Sequence, residues 1–244
     1  MTDPASGPET FWFVYQFRFP DGTVREFRID LNPTTLEMIP VKRDTPLPKW
    51  TQLSHCKCPH CPLKEETHPN CPIAANLEEP VDFFKSLVSF EEIELEVRTA
   101  ARTYRAKTAL QFALSSLLGI YMTTSGCPVM DKLRPMVALH LPVSSPRETT
   151  LRSVSMYLLA QLFIKRKGRE PDWSLKKLEK IYDDIEILNE AFLKRLAEVH
   201  IQDAGLNAVF HLDCHAQFTN MFILEESLLN LEHFFQPYLD DPSL

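Results

Sequence analysis

The sequence predicts an α+β fold, in which an N-terminal β-hairpin or small antiparallel sheet and a Cys-rich metal loop sit on a predominantly α-helical body. Three observations predict it. Of the 19 prolines, 12 fall in the first 80 residues, and only 6 glycines serve the whole chain. Apolar residues alternate near the start and recur at three- and four-residue steps after Cys71, the periods of strand and helix. Between those regions, His55 to Cys71 holds four of the six cysteines and three of the eight histidines. The expected organisation is a hairpin region over 1–50, a Cys/His-rich metal-binding loop over 51–80 and a helical domain over 81–244.

Phe11 to Phe19 alternates aromatic with other residues, Pro20-Asp21-Gly22-Thr23 supplies a turn, and Val24 to Ile29 resumes the alternation. Asp-Gly at the tip of two such runs predicts a β-hairpin. Leu31 to Ile39, interrupted by Asn32-Pro33, reads as a short third strand, and Val41 to Trp50 as a Pro-rich connector. After Cys71, the spacing of Ile73, Leu77, Val81, Phe84, Leu87 and Val88 predicts helix, broken in two at Pro80. Glu92 to Thr99 alternates again and is placed beside the hairpin. Ala100 to Thr123 reads as one long helix, stopped by Ser125-Gly126-Cys127-Pro128.

The sharpest helix start is Ser145-Pro146-Arg147-Glu148. Serine at the N-cap, proline at the first helical position and glutamate three residues after the serine make a capping box, and the helix is expected to reach about Lys167. Asp172 is expected to cap the next one, whose core face is Leu175, Leu178, Tyr182, Ile185, Leu188, Phe192, Leu196 and Val199. Asn207 to His215 and Phe218 to Phe235 complete the body, the latter with Phe222, Leu228, Leu229 and Phe235 inward.

Bulk composition excludes several classes. A chain of 244 residues that is 44% hydrophobic and 24% charged buries a proper core and is not disordered. Its net charge of −7 has the wrong sign for holding a polyphosphate backbone, so nucleic acid is not an expected partner. Met1 to Glu9 lacks the basic start and apolar middle of an export signal. The apolar run Ala109 to Met122 is too short to span a bilayer, so no membrane partner is expected either. A cytoplasmic location follows, where cysteines serve as thiols and metal ligands. The expected partner is a protein or a small ligand.

The cysteine loop carries the clearest chemistry. Zinc takes four thiolate or imidazole ligands in a tetrahedron, and two cysteines separated by two residues present both sulfurs to one side of a tight turn. Cys58-Pro59-His60-Cys61 has that spacing, with Cys71 one short loop away and Cys56 as the preferred fourth ligand. His68 competes for the fourth place, because His68-Pro69-Asn70-Cys71 offers a second two-residue gap. The gaps match neither common ferredoxin pattern, so Zn(2+) is expected over an iron–sulfur cluster. A closed, structural site is the expected kind, the metal replacing packing energy that this loop lacks.

A second constellation lies between two predicted helices. Cys127, before Pro128, gains nucleophilicity if a cationic neighbour lowers its pKa, and His140 is a candidate neighbour. Both are placed around a pocket with Glu148 and Arg152. Against this stand the frequent burial of free cysteine and the capping duty of Glu148. His211, Cys214 and His215 share a helix face by spacing, and an amphipathic face explains them. Tyr104, Lys107 and Gln111 read as one polar strip of a helix.

The order of segments resembles a family of uncharacterised bacterial proteins. The resemblance rests on the Asp-Gly hairpin, Cys58-Pro59-His60-Cys61-Pro62-Leu63, Cys71-Pro72, Ser125-Gly126-Cys127-Pro128, Pro135-Met136, His140-Leu141-Pro142, Glu148-Thr149 and Tyr157-Leu158-Leu159. It spans nearly the whole chain and implies that Cys58, Cys61 and Cys71 form the nucleus of the ligand set. It also directs interest to Cys127 and His140. The leading expectation is a zinc-stabilised soluble binding or regulatory module; the alternative is an enzyme with a reactive cysteine pocket around Cys127 and His140. A redox switch that releases metal on thiol oxidation is a third.

Overall fold

The structure, a computed structural model, describes residues 11–41, 45–199, 203–224 and 227–243. The hairpin forms as its alternation requires: β1 (Phe11–Arg18) pairs antiparallel with β2 (Val24–Leu31). Gly22 takes φ +87° in the connecting turn, a conformation that glycine adopts without strain. On the other side of β1 lies β3 (Glu92–Arg98), and beyond it β4 (Thr103–Ala109), giving an antiparallel sheet in the order β2-β1-β3-β4.

One sheet face is a continuous apolar layer of Phe13, Tyr15, Phe17, Phe27, Ile29, Leu31, Ile93, Leu95 and Val97. The other is solvated and laced with cross-strand ion pairs such as Arg98–Glu26 (2.5 Å) and Arg105–Glu96 (2.7 Å). This in–out alternation is what an antiparallel sheet covered on one side demands.

Four expectations are corrected here. Ala100 to Thr123 is not one helix: its first half is strand β4, and α3 (Leu110–Thr124) begins directly after it. Thr103, Tyr104 and Thr108 favour a pleated edge, and every second residue of β4 is exposed, so the helical apolar face starts only at Leu110. Tyr104 and Lys107 therefore share no helix with Gln111. Leu31 to Ile39 supplies a single bridge, Leu31 to Met38, because Asn32 folds the chain into a turn by accepting N–H bonds from Thr34 and Thr35.

The break after the cysteine loop falls at Leu77, between α1 (Pro72–Asn76) and α2 (Glu78–Phe84). Pro80 sits in the first turn of α2, where its missing N–H costs no helical bond. Finally, Asn207 to His215 and Phe218 onward belong to one helix.

The capping box at Ser145 is present in both directions, and α4 runs Pro146–Arg166. α5 (Lys176–Ala197) buries Leu178, Tyr182, Ile185, Leu188, Phe192 and Leu196, as its period requires. Asp172 serves its first turn by accepting from Lys177 N (2.8 Å), although the residue at the cap position itself is Leu175. α6 (Asp203–Leu224) packs against α3, α4 and α5 and is followed by a 3₁₀ segment and the short α7 (Gln236–Leu239). Phe235 is exposed rather than inward, while the side chains of Phe222, Leu228 and Leu229 and the whole of Met1 to Glu9 lie outside what the structure describes. One hydrophobic core runs from the sheet through α1, α2 and α3 to α5 and α6. Among the described residues, no helix is long and apolar enough to cross a membrane.

Candidate functional site

Two cavities collect the chemistry. The smaller begins at the cysteine loop, whose arms are zipped together at the base: Cys71 N donates to Thr51 O (2.7 Å) and Leu53 N to Pro69 O (2.9 Å). Within the loop, Cys61 N donates to Cys58 O (3.0 Å), the tight turn that two cysteines two residues apart require. Cys58, Cys61 and Cys71 then border a cavity of about 20 Å³, closed by Leu53, Ile73, Leu188, Phe192 and Arg195.

The sequence did not indicate that Cys127 borders the same cavity. It arrives from the far end of α3, and the backbone N–H groups of Met130 and Val129 donate to its sulfur. Burial pushes Cys58 up to about 12, with Cys71, Cys127 and Cys61 adding to the rise in that order. Burial likewise pushes Cys127 up to about 11, the N–H bonds opposing it and Cys71 and Cys61 adding to it. The four thiols thus sense one another electrostatically, though no three of their sulfurs all lie within 4.8 Å.

Cys56 lines this cavity as well, but its thiol is engaged by a different set. Its backbone is left-handed (φ +46°), and its thiol donates to Glu198 Oε1 (3.4 Å), whose other oxygen is 3.2 Å from His55 Nε2. His55, Cys56 and Glu198 bring one ligand atom each within 4.8 Å of the others and could hold a metal ion. Glu198 is largely exposed there. His68 makes its contact with Thr67 Oγ1 (2.9 Å), outside both groups.

Arg195 is the unusual residue at this cavity. Its side chain is 2% exposed, and it donates to Trp50 O (2.5 Å), Gln52 O (2.7 Å) and Cys56 O (3.5 Å). Those bonds pin the loop to α5. None of its partners carries a charge, and no described carboxylate lies within ion-pair distance of the guanidinium. Charged side chains are almost never fully buried without compensation.

The larger cavity, about 360 Å³, lies among α3, the 3₁₀ segment Met130–Leu139, the N-terminal turns of α4, α5 and α6. His140 and Arg152 both line it, as do His211 and His215, whereas Cys127 does not. The predicted meeting of Cys127 with His140 and Arg152 is therefore divided between two cavities. His140 Nε2 meets the Tyr15 hydroxyl at 2.5 Å, and that hydroxyl also meets Ser116 Oγ (3.0 Å). Burial, reinforced by the charge of Arg152, lowers His140 to about 3. Tyr15, fully buried, is shifted upward by desolvation.

His211 and His215 do share a face of α6, with ring centroids 4.5 Å apart, while Cys214 is exposed. Burial lowers both rings, His215 to about 4 with His211 and Arg152 contributing in that order. Their i, i+4 spacing was the only sequence signal for this pair. Nothing local could place it opposite Arg152.

Residues 13–236 match the model of a family described as Domain of unknown function (DUF6901). No curated protein and no solved structure matches the chain.

Proposed function

We propose that this chain, which belongs to the DUF6901 family, is a cytoplasmic binding or regulatory module braced by zinc, and that its 360 Å³ cavity is the binding site. The zinc ligands are Cys58, Cys61, Cys71 and Cys127, the last replacing Cys56 from the sequence reading. The observation that carries the assignment is Arg195, a buried guanidinium without a carboxylate at a cavity lined by five cysteines, of which Cys56 alone donates its thiol to a carboxylate, that of Glu198.

A zinc ion held by four thiolates carries two net negative charges, and Arg195 supplies an outer counter-charge of the kind that tunes such centres. Burial alone favours neutral thiols; a divalent cation inverts that preference and makes thiolates of them. The Met130 and Val129 N–H groups aimed at Cys127 favour the same charged form. Tetrahedral zinc at about 2.3 Å from each sulfur sets the sulfurs about 3.8 Å apart.

Structurally, the metal would tie three residues of an N-terminal loop to the end of α3, while Arg195 ties the same loop to α5. The loop has few apolar side chains of its own, so the brace substitutes for a core. The enzyme alternative has less support: a thiol at about 11 is not a nucleophile at neutral pH, and His140 and Arg152 belong to the other cavity.

Metal analysis of protein purified without added zinc, with thiol titration before and after chelation, tests the reading. About one zinc per chain is expected, lost in Cys127→Ser and retained in Cys56→Ser. Substoichiometric metal in the wild type, or the reverse pattern in the two variants, refutes it. The second pattern would move the ion to His55, Cys56 and Glu198.

A further inference from the structure

The large cavity has a wall of one sign. Its described lining contains one arginine and three histidines but no aspartate, glutamate or lysine. Yet the chain as a whole carries 33 acidic residues against 26 basic ones. Arg152 is anchored without being paired: Nη1 donates to Leu139 O (2.9 Å), Nε is buried with no partner, and no described carboxylate lies within ion-pair distance. Glu148, one turn earlier on α4, is occupied by Ser145 N and Oγ at 2.8 Å each.

Three more polar atoms are left over in the same wall, one of them the amide oxygen Oδ1 of Asn189. His211 Nδ1 and His215 Nε2 are buried without hydrogen-bond partners. Leaving a buried polar atom unsatisfied is costly, so four in one cavity point to something that is received there. Much of the rest of the wall is apolar, including Ile120, Met130, Leu133, Val137 and Leu212, with uncharged polar residues such as Ser116, Thr149 and Tyr182 among them. A strained backbone marks the rim: Val143, a β-branched residue, is held at φ +53° with its N–H on Ser116 Oγ (3.3 Å). Strain of this kind is concentrated at ligand clamps.

We propose that this cavity binds a small amphipathic monocarboxylate, its carboxylate received by Arg152 and the His211–His215 pair and its hydrocarbon body by the apolar wall. The proposal rests on the cavity being the binding site, as argued above. One permanent charge in the wall balances one charge on the ligand. Burial holds the pKa of both histidines below the usual imidazole value, so at pH 7 each offers an N–H or a lone pair without adding charge. A phosphate dianion would be left half compensated and would gain nothing from the apolar wall. The volume suits a compact ligand, at the small end of the roughly 300–1,000 Å³ range of small-molecule pockets.

Calorimetric titration of the full, zinc-loaded chain with octanoate, 1-octanol and inorganic phosphate tests the proposal. Octanoate is expected to bind saturably at one per chain, at least tenfold more tightly than 1-octanol, with phosphate showing no heat. Arg152→Gln is expected to weaken octanoate at least tenfold, and Arg152→Lys less. Because Arg152 also holds Leu139, His215→Phe provides a second arm. It removes an unpartnered nitrogen while keeping a ring, so thermal stability should hold or rise while octanoate binding falls severalfold.

Absence of saturable octanoate binding, equal binding of octanoate and octanol, tighter binding of phosphate, or unchanged binding in both variants overturns the assignment. Zinc is measured on each sample. Protein that keeps its metal but ignores octanoate refutes the ligand class alone. Arg152-dependent binding by protein without zinc refutes the brace alone.

Discussion

Replacing Arg195 by methionine keeps the length and apolar character of the stem and deletes the guanidinium. Two short bonds are lost, to the carbonyls of Trp50 and Gln52, together with a longer one to Cys56. Hydrogen bonds from a charged donor are worth about 1.5–3 kcal/mol each, so the two short ones predict a loss of about 3–6 kcal/mol. That is a large part of the roughly 5–15 kcal/mol that holds a domain together. The counter-charge argument adds a second readout, since removing an outer-shell partner lowers metal affinity by about 10–100-fold. Urea unfolding followed by tryptophan fluorescence gives the first quantity, and competition with a zinc chelator the second. Arg195→Lys, which keeps the charge but not the fork, should fall between wild type and Arg195→Met. Arg105→Met is the control, because its ion pair with Glu96 is exposed and should contribute less than about 1 kcal/mol. If Arg195→Met costs no more than that control and binds zinc as the wild type does, the guanidinium is not balancing a metal centre.

Acid should unfold the protein partly through its buried histidines. His140 sits at about 3 in the fold and near 6.5 when unfolded, so below pH 6.5 the unfolded chain takes up a proton that the folded one refuses. Stability is therefore lost as pH falls from about 6.5 toward 3, and His215, at about 4, acts in the same direction. Between pH 6.5 and 4.5 the wild type should lose about 2–3 kcal/mol more than His140→Gln in urea titrations; parallel curves for the two proteins would remove His140 from the account. Ser145→Ala should cost about 1 kcal/mol in thermal or urea unfolding, because Glu148 N loses its acceptor and Glu148 loses half of its anchor. No change would mean that α4 is held by packing alone.

Local signals were legible where one short stretch determines the outcome. Asp21-Gly22 between alternating runs, Ser145 to Glu148, and the repeated apolar steps of α5 each state their element without help from the rest of the chain. The miss at Thr103–Ala109 has a different origin. An exposed edge strand alternates weakly, and a strong apolar helix directly behind it captures the period of the whole window. α4 shows how a helix pattern can mislead about direction: Thr150, Ser153 and Gln161 are buried, whereas Leu158, Leu159, Leu162 and Phe163 are exposed.

Sites were harder to read than elements. Spacing identified Cys58 and Cys61 as a pair and His211 with His215 as neighbours, because a turn and a helix convert sequence distance into space. Cys127 and Arg195 lie 56 and 124 residues beyond Cys71, and only the packing of α3 and α5 behind the loop brings them to it. Proximity of that kind leaves no periodic trace.

Tyr15 joins the opening strand to Ser116 and His140, residues 101 and 125 positions further on, and Arg195 clasps carbonyls 143 and 145 positions earlier. During synthesis the hairpin therefore leaves the ribosome long before the groups that complete its buried face. Contacts so distant along the chain slow folding, and they also make it all-or-none. Fragments cut anywhere between these partners should lack an independent native state, so hairpin, cysteine loop and helices ought to melt in a single transition.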